Sequence, residues 1–368
     1  MSIPNNAQIP ICDLHCDTAA EILAGNNLTS DRPQVNLPRL KQAKVGIQIF
    51  ACFISSTIPP NLRFQHALKM ISALKNELCH YPDSIDICTD SQQLQAALAA
   101  GKIAAILAVE NGEAIENDLT NLHQLYDLGV RCMTIIHSHS SQWAISSTDS
   151  QPAFNGLSSF GEDVIREMNA LGMIIDISHA HPLTVSRVLS ISQHPIIASH
   201  SCAAALCPIP RNLTDEQIQD LAAAGGMVGI NFFPGFLDYA YYQLMVERGG
   251  DLFASFDELE KQAGNDPIAL AECMHRYSQQ FQRMMADQQV TADRIIEHIQ
   301  HIIQLVGADH VGFGSDFDGV PATPIGIPNC LGFQLLRQKF AAAHYPMPTI
   351  EKICYKNFLR IFESVCHS

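Results

Sequence analysis

Apolar and polar positions divide the chain into an alternation of short and long segments. Eight short runs, rich in β-branched residues and almost uninterrupted in their hydrophobicity, fall at 9–14, 45–54, 103–109, 130–136, 173–177, 195–199, 227–231 and 310–314. Between them lie longer stretches with apolar residues three and four apart, at 61–80, 91–100, 119–128, 161–171, 182–192, 214–224 and 291–306. The short runs predict strands buried on both faces, and the long ones predict amphipathic helices. Thr214-Asp215-Glu216-Gln217 resembles a capping-box start, and Gly225-Gly226 ends that helix just before the next strand. Leu128-Gly129-Val130 and Leu171-Gly172-Met173 repeat the junction of helix, glycine and strand. Eight such strands separated by helices predict an α/β fold, a parallel sheet closed into a (β/α)8 TIM-type barrel.

Two stretches depart from this rhythm. From 234 to 289 the chain is rich in Gln, Met, Tyr and Asp and mostly helix-forming, with Gly249-Gly250 and Asn265-Asp266-Pro267 as punctuation. It predicts a helical insertion after the seventh strand, on the face where barrel loops carry function; an outer helical layer with no part in chemistry fits the pattern equally. A proline-rich loop at 320–330 follows the eighth strand, and helices at 331–344 and 349–365 close the chain. A single barrel domain over 1–368 accommodates all of it, since such barrels routinely exceed 250 residues.

Composition narrows the setting. At 47% hydrophobic residues the chain can bury a large core, and a formal charge of −15 argues against nucleic acid or an anionic membrane as partner. The 12 cysteines are scattered, without a C-x-x-C pair, and Cys52, Cys132 and Cys354 sit inside apolar runs, which fits a reducing compartment. Met1 to Asn6 has neither a charged nor an apolar leader region, and Ser364 to Ser368 is no hydrophobic tail, so a soluble, cytoplasmic protein is expected.

The chemistry lies where the strands end. Ile11-Cys12-Asp13-Leu14-His15-Cys16-Asp17 in extended form would point Asp13, His15 and Asp17 to one face. The third strand ends in Glu110 and the fourth in His137; the fifth offers Asp176 and His179, the sixth His200, the eighth Asp316 and Asp318. In a barrel these ends form the catalytic face. Nitrogen and oxygen donors without sulfur favour Zn2+ or a similar divalent ion, and their number exceeds the three protein ligands of one open catalytic zinc. Two metals bridged by a carboxylate, with Glu110 as the natural bridge, are the economical reading, and the chemistry is metal-assisted hydrolysis. His139 and His181 share the facing of His137 and His179, but the earlier member of each pair lies nearer its strand end. Asp176 and Asp318 read as supporting carboxylates. Arg211, between Pro210 and Asn212, either holds an anionic substrate group or makes an ordinary surface ion pair.

At this point the sequence resembles the membrane (renal) dipeptidase family of metallopeptidases. The resemblance rests on Asp13-Leu14-His15-Cys16-Asp17, Val109-Glu110-Asn111-Gly112, Ile175-Asp176-Ile177-Ser178-His179, Ala198-Ser199-His200-Ser201, Pro210-Arg211-Asn212-Leu213 and Gly314-Ser315-Asp316-Phe317-Asp318-Gly319, in order along the chain. It implies two Zn2+ per chain, one on His15 and Asp17, the other on His179 and His200, with Glu110 between them. It implies further that Asp316 moves the proton of a metal-bridging hydroxide to the leaving amine, that His137 contacts the carbonyl oxygen, and that Arg211 meets the substrate carboxylate. The expected substrate is a dipeptide, including those with a C-terminal D-residue, and a homodimer is expected from the family alone. Other barrel hydrolases bridge their metals with a modified lysine on the fourth strand, and residues 134–138 contain none. Hydrolysis of an N-acyl amino acid or a lactone is the alternative activity, and an inactive binding barrel the alternative class.

Overall fold

A computed structural model describes residues 9–264 and 266–366. The leader-free reading of Met1 to Asn6, Asn265 of the insertion's punctuation, and His367 and Ser368 at the C terminus lie outside the described residues. Nine strands are described: β1 (Ile11–Cys16), β2 (Val45–Phe53), β3 (Ile85–Ile87), β4 (Ile103–Glu110), β5 (Val130–Thr134), β6 (Ile174–Asp176), β7 (Ile197–Ser201), β8 (Met227–Ile230) and β9 (Val311–Phe313). Eight of them run in the order β2-β1-β9-β8-β7-β6-β5-β4, and a parallel pairing of β2 with β4 closes the ring. All eight predicted strands are members of this barrel. The ninth, β3, pairs with Ile103 to Ala105 of β4, below Leu107 where β5 begins to pair. At three residues it is too short to leave a pattern.

The helices Arg63–Leu78, Ser91–Ala99, Leu119–Asp127, Ser159–Leu171, Pro182–Ile191, Asp215–Ala223 and Asp293–Val306 fall within two residues of their predicted bounds. Local chemistry explains the agreement. Thr214 and Gln217 form the reciprocal capping box, and Gly172 ends its helix at φ 75°, a conformation open to glycine. Two short helices, Thr18–Leu23 and Leu37–Ala43, were not foreseen.

The barrel core follows from alternation along the strands. In β4, Ala104, Ile106 and Ala108 join one apolar cluster while Ala105, Leu107 and Val109 join the other. The first series continues in phase to Glu110, so that cluster, with Ile49, Ile174 and Ile197, fills the lumen beneath the strand ends. Its floor is the C-terminal helix Asn357–Val365, which contributes Phe358 and Phe362. Asn357 Nδ2 fixes that helix by donating to the carbonyls of Ala308 (2.7 Å) and Val311 (2.8 Å) at the start of β9. One end of the barrel is therefore plugged and the other carries the polar strand ends.

The segment after β8 is helical as predicted, in three pieces: Pro234–Leu237, Tyr239–Ala263 and Pro267–Met284. Asp266 caps the third through the amides of Ile268 and Ala269. Arg32 ties that helix to the region after β1, bonding Glu21 (3.0 Å), Glu272 (2.6 Å) and the carbonyl of Ala271 (3.3 Å). No helix among the described residues is long and apolar enough to cross a membrane. All the cysteines but Cys79 are buried.

Candidate metal centre and active site

The polar strand ends converge on one carboxylate. Glu110, the last residue of β4, places Oε2 3.3 Å from His15 Nε2, and its Oε1 lies 3.2 Å from His179 Nε2 and 3.3 Å from His200 Nε2. His15 Nε2 is also 3.4 Å from Asp17 Oδ2 and 3.9 Å from Asp316 Oδ1. His137 Nε2 stands 3.9 Å from Glu110 Oε1 and is the most exposed of the set, at 25% of its side chain. Thus all seven residues nominated for the metals and the proton and carbonyl roles meet at one place. Two of them, His179 (φ 67°) and Asp316 (φ 61°), hold left-handed backbone, a conformation costing about 1 kcal/mol or more in non-glycine residues. Such strain persists only where surrounding contacts hold it, and it collects at functional sites.

A second layer of hydrogen bonds orients the imidazoles. Asp176 accepts from Thr134 Oγ1 (2.5 Å), from the amides of Ser178 (2.9 Å) and Ser199 (2.8 Å), and from Ser199 Oγ (2.5 Å). Ser199 Oγ therefore spends its proton on the carboxylate and accepts from His200 Nδ1 at 2.7 Å. That bond fixes the proton on Nδ1 and leaves the Nε2 lone pair facing Glu110. His15 Nδ1 approaches the same hydroxyl at 3.5 Å. Asn231, just past β8, donates from Nδ2 to Asp316 Oδ2 (2.8 Å) and accepts from the amide of Phe233 (2.6 Å), which turns Asp316 Oδ1 toward His15. Gly319 is required here, because a Cβ would lie 2.1 Å from Asp17 Oδ2 and 2.5 Å from Asp316 Oδ1.

The electrostatics are those of a site shaped for positive charge. Burial disfavours a charged His15, yet Glu110 and Asp17 outweigh it and hold the imidazole well above its ordinary range. Glu110, although buried, is held well below the usual carboxylate range, chiefly by the charge on His15. Burial pushes Asp17 up. Burial, reinforced by Arg211, lowers His179, and burial together with the charge on His15 lowers His200. Neutral imidazoles beside an ionised carboxylate are the form in which these groups ligate a metal.

The donor set fits divalent ions. His15 Nε2 and Asp17 Oδ1 are buried polar atoms with no hydrogen-bond partner, and such atoms are rare unless a ligand satisfies them. His15, Asp17 and Glu110 offer ligand atoms within 4.8 Å of one another, and so do Glu110, His137 and His179. His15, Asp176 and His200 meet the same distance limit. In that third group, however, the carboxylate already accepts four hydrogen bonds, so Asp176 is a support for the imidazoles.

Other residues find different places. Asp13 does not share the facing of His15: a register shift in β1 breaks the alternation, and Asp13 is held by Ser315 (2.6 Å) and Gln48 (3.1 Å). Asp318 is a loop carboxylate accepting from Thr18 Oγ1 and the amide of Gln34, both at 2.6 Å. His181 caps the helix Pro182–Ile191 through Nδ1 (3.1 Å). Arg211 is buried; it donates to Ser201 Oγ (2.8 Å) and His200 O (2.7 Å), while its Nε has no partner. It is thus no surface ion pair, and burial lowers its pKa from the usual arginine range. Ser199 and Asn231 were not singled out from the sequence. Asn231 carried a usable signal, since it is the polar residue ending the seventh predicted run.

The cluster opens into a cavity of about 790 Å3, bordered by Glu110, His137, His179, His200 and Asp316 and roofed by Leu270, Met274 and Tyr277 of the insertion. The insertion is therefore part of the site and no remote outer layer.

Comparison with known proteins agrees with this geometry. The family model described as membrane dipeptidase, peptidase family M19, matches residues 6–367. An uncharacterised dipeptidase of Schizosaccharomyces pombe is 29% identical over 358 residues, which cover 94% of this chain and 74% of that protein. Dipeptidase 3 of Mus musculus is 28% identical over 338 residues, covering 91% of this chain and 58% of the relative. Among solved structures, a metallopeptidase of Rhodobacter sphaeroides bound to a phosphinate mimic of the dipeptide L-Ala-D-Ala superposes with a TM-score of 0.79 at 25% identity, covering 97% of this chain and 99% of that one.

Proposed function

Since the chain belongs to the membrane dipeptidase family, peptidase family M19, whose members are metallopeptidases acting on peptide bonds, we propose that it is a dinuclear zinc dipeptidase. The observation that carries this reading is the convergence of three Nε2 atoms on the two oxygens of Glu110 at 3.2 to 3.3 Å. One Zn2+ would be held by His15 and Asp17, the other by His179 and His200, with Glu110 shared between them. Such ions, when bound, acidify a water and polarise the scissile carbonyl.

The chain's own residues do the rest. Asp316, turned by Asn231 so that Oδ1 faces the cluster, takes the proton of the attacking water and delivers it to the leaving amine. His137 is held neutral, its pKa lowered to about 4 by burial, and as the tautomer protonated on Nε2 it donates to the carbonyl oxygen as negative charge develops there. Arg211, with an unpartnered Nε, meets the substrate's C-terminal carboxylate. The dipeptide mimic bound by the Rhodobacter sphaeroides relative ends in D-alanine, which supports acceptance of a C-terminal D-residue here. Hydrolysis of L-Ala-D-Ala compared with its C-terminal amide tests the reading. The free carboxylate should raise kcat/KM by tenfold or more, and equal rates would contradict it.

A further inference from the structure

We propose that the part of the cavity above β1 and β2 is the pocket for the substrate's N-terminal side chain and that it selects bulky apolar ones. This deepens the dipeptidase reading and rests on it for the direction of the substrate. Arg211 follows β7, and β2 stands four places from β7 in the eight-stranded ring, so the two lie on opposite sides of the mouth. A dipeptide whose carboxylate meets Arg211, with its amide over Glu110, therefore sends its N-terminal residue toward β1 and β2.

Three helices wall that side. Thr18–Leu23 gives Ala20 and Leu23, Arg63–Leu78 gives His66 and Met70, and Pro267–Met284 gives Leu270 and Met274. Five of these six side chains are apolar. The charged groups alongside are paired: Arg63 with Glu113 at 2.6 Å and with the carbonyls of Ser56 and Ile58, and Glu21 with Arg32 at 3.0 Å. Lys261, which also borders the cavity, is exposed. The roof is fastened, because Arg32 joins Glu21 below to Glu272 and the Ala271 carbonyl above. His66 is 7% exposed and has no hydrogen-bond partner among the described residues, and burial together with Lys69 favours its neutral form. The three helices thus offer apolar surface and one uncharged imidazole, with the hydroxyls of Ser55, Ser56 and Thr57 after β2 at the edge of the same cavity, a lining that suits an aliphatic or aromatic side chain and penalises a charged one. Ala20 matters most, since a small residue there leaves the space between the first two helices open. The volume of about 790 Å3 falls in the range of sites for drug-sized ligands, well beyond what the reacting amide needs.

The test uses zinc-loaded protein and two substrate series ending in D-alanine. One carries Gly, Ala, Leu or Phe as the N-terminal residue; the other carries acetyl, hexanoyl or phenylpropanoyl groups in its place. Leu and Phe should exceed Gly by tenfold or more in kcat/KM, as a matched hydrophobic pocket provides. Ala20→Phe, checked for folding by thermal melting, should lower the Phe-to-Gly ratio at least tenfold, and Met274→Phe should act in the same direction from the opposite wall. Values within threefold along the hydrolysed series, or ratios unmoved in both variants, overturn the pocket. Turnover of the acyl series alone would refute the dipeptide reading, and its size dependence would still decide the pocket.

Discussion

Removing one hydroxyl, in Ser199→Ala, should weaken metal binding without unfolding the barrel. Ser199 Oγ lies 2.5 Å from Asp176 Oδ2 and 2.7 Å from His200 Nδ1, so the substitution deletes these two short hydrogen bonds along with the longer contacts to Ser178 Oγ (3.3 Å) and His15 Nδ1 (3.5 Å). Their losses are unequal. Asp176 keeps Thr134 Oγ1 and the amides of Ser178 and Ser199, so the anion stays satisfied. His200 Nδ1 is left buried with no acceptor, a penalty of about 1 to 3 kcal/mol for a neutral donor. The imidazole escapes part of that penalty by moving its proton to Nε2, but this blocks the lone pair that faces Glu110. Either way the loss appears in ligation, and outer partners of metal-bound histidines are typically worth about 10- to 100-fold in affinity. Competition titration of zinc against a chromophoric chelator should show the His179 and His200 site weakened by that factor. The His15 site should change less, because its own approach to the hydroxyl is 3.5 Å. Two zinc affinities within twofold of the parent, in a variant with unchanged far-ultraviolet circular dichroism, would refute the reasoning.

Two further outcomes follow from buried polar groups. Asn231→Ala frees Asp316 Oδ2 and should lower kcat by about 10- to 100-fold with little change in KM or zinc content, since Asn231 positions Asp316 and touches no ligand; steady-state kinetics with elemental analysis reads both. His298 accepts from the amide of Ala203 at Nδ1 (3.1 Å) and pairs with Leu237 O at Nε2 (3.0 Å), and burial lowers its pKa to about 4. Because the folded state resists the proton that the unfolded chain takes up near pH 6.5, its stabilisation is full above that pH and is lost as pH falls toward 4. The contribution is about 3 kcal/mol from the linkage relation. Urea unfolding at pH 7 and pH 5 should show a loss that His298→Gln flattens by about one proton, and parallel pH dependences in the two proteins would contradict this.

The barrel and the residues that gather around Glu110 were legible because both arise from local rules. A strand covered on both faces must be apolar along its length, and the residue that breaks the run at the catalytic end is the one exposed to the site. His15, Glu110 and His200 stand at such breaks, and His179 lies two residues past the end of its run. The supporting layer was less legible, because it depends on neighbours brought together by the barrel. Ser199 gains its role only when β6 lies beside β7 and Asp176 comes within 2.5 Å. Asp13 was placed with His15 on strand alternation, which the register shift in β1 annuls. Arg211 was readable as a guanidinium at a strand mouth, yet its burial and its bonds to Ser201 and His200 depend on the turn that folds it back. The insertion was identified as helical from composition, while its position as a roof depends on Arg32, more than two hundred residues upstream.

Whether two metal ions carry the hydrolysis is decided by the metal content of the purified protein, measured by elemental analysis through chelation and reloading, with L-Ala-D-Ala hydrolysis followed at each stage. About two zinc ions per chain are expected, with activity that disappears with them and recovers when zinc is restored. Dipeptide hydrolysis that persists in fully metal-free protein would contradict this.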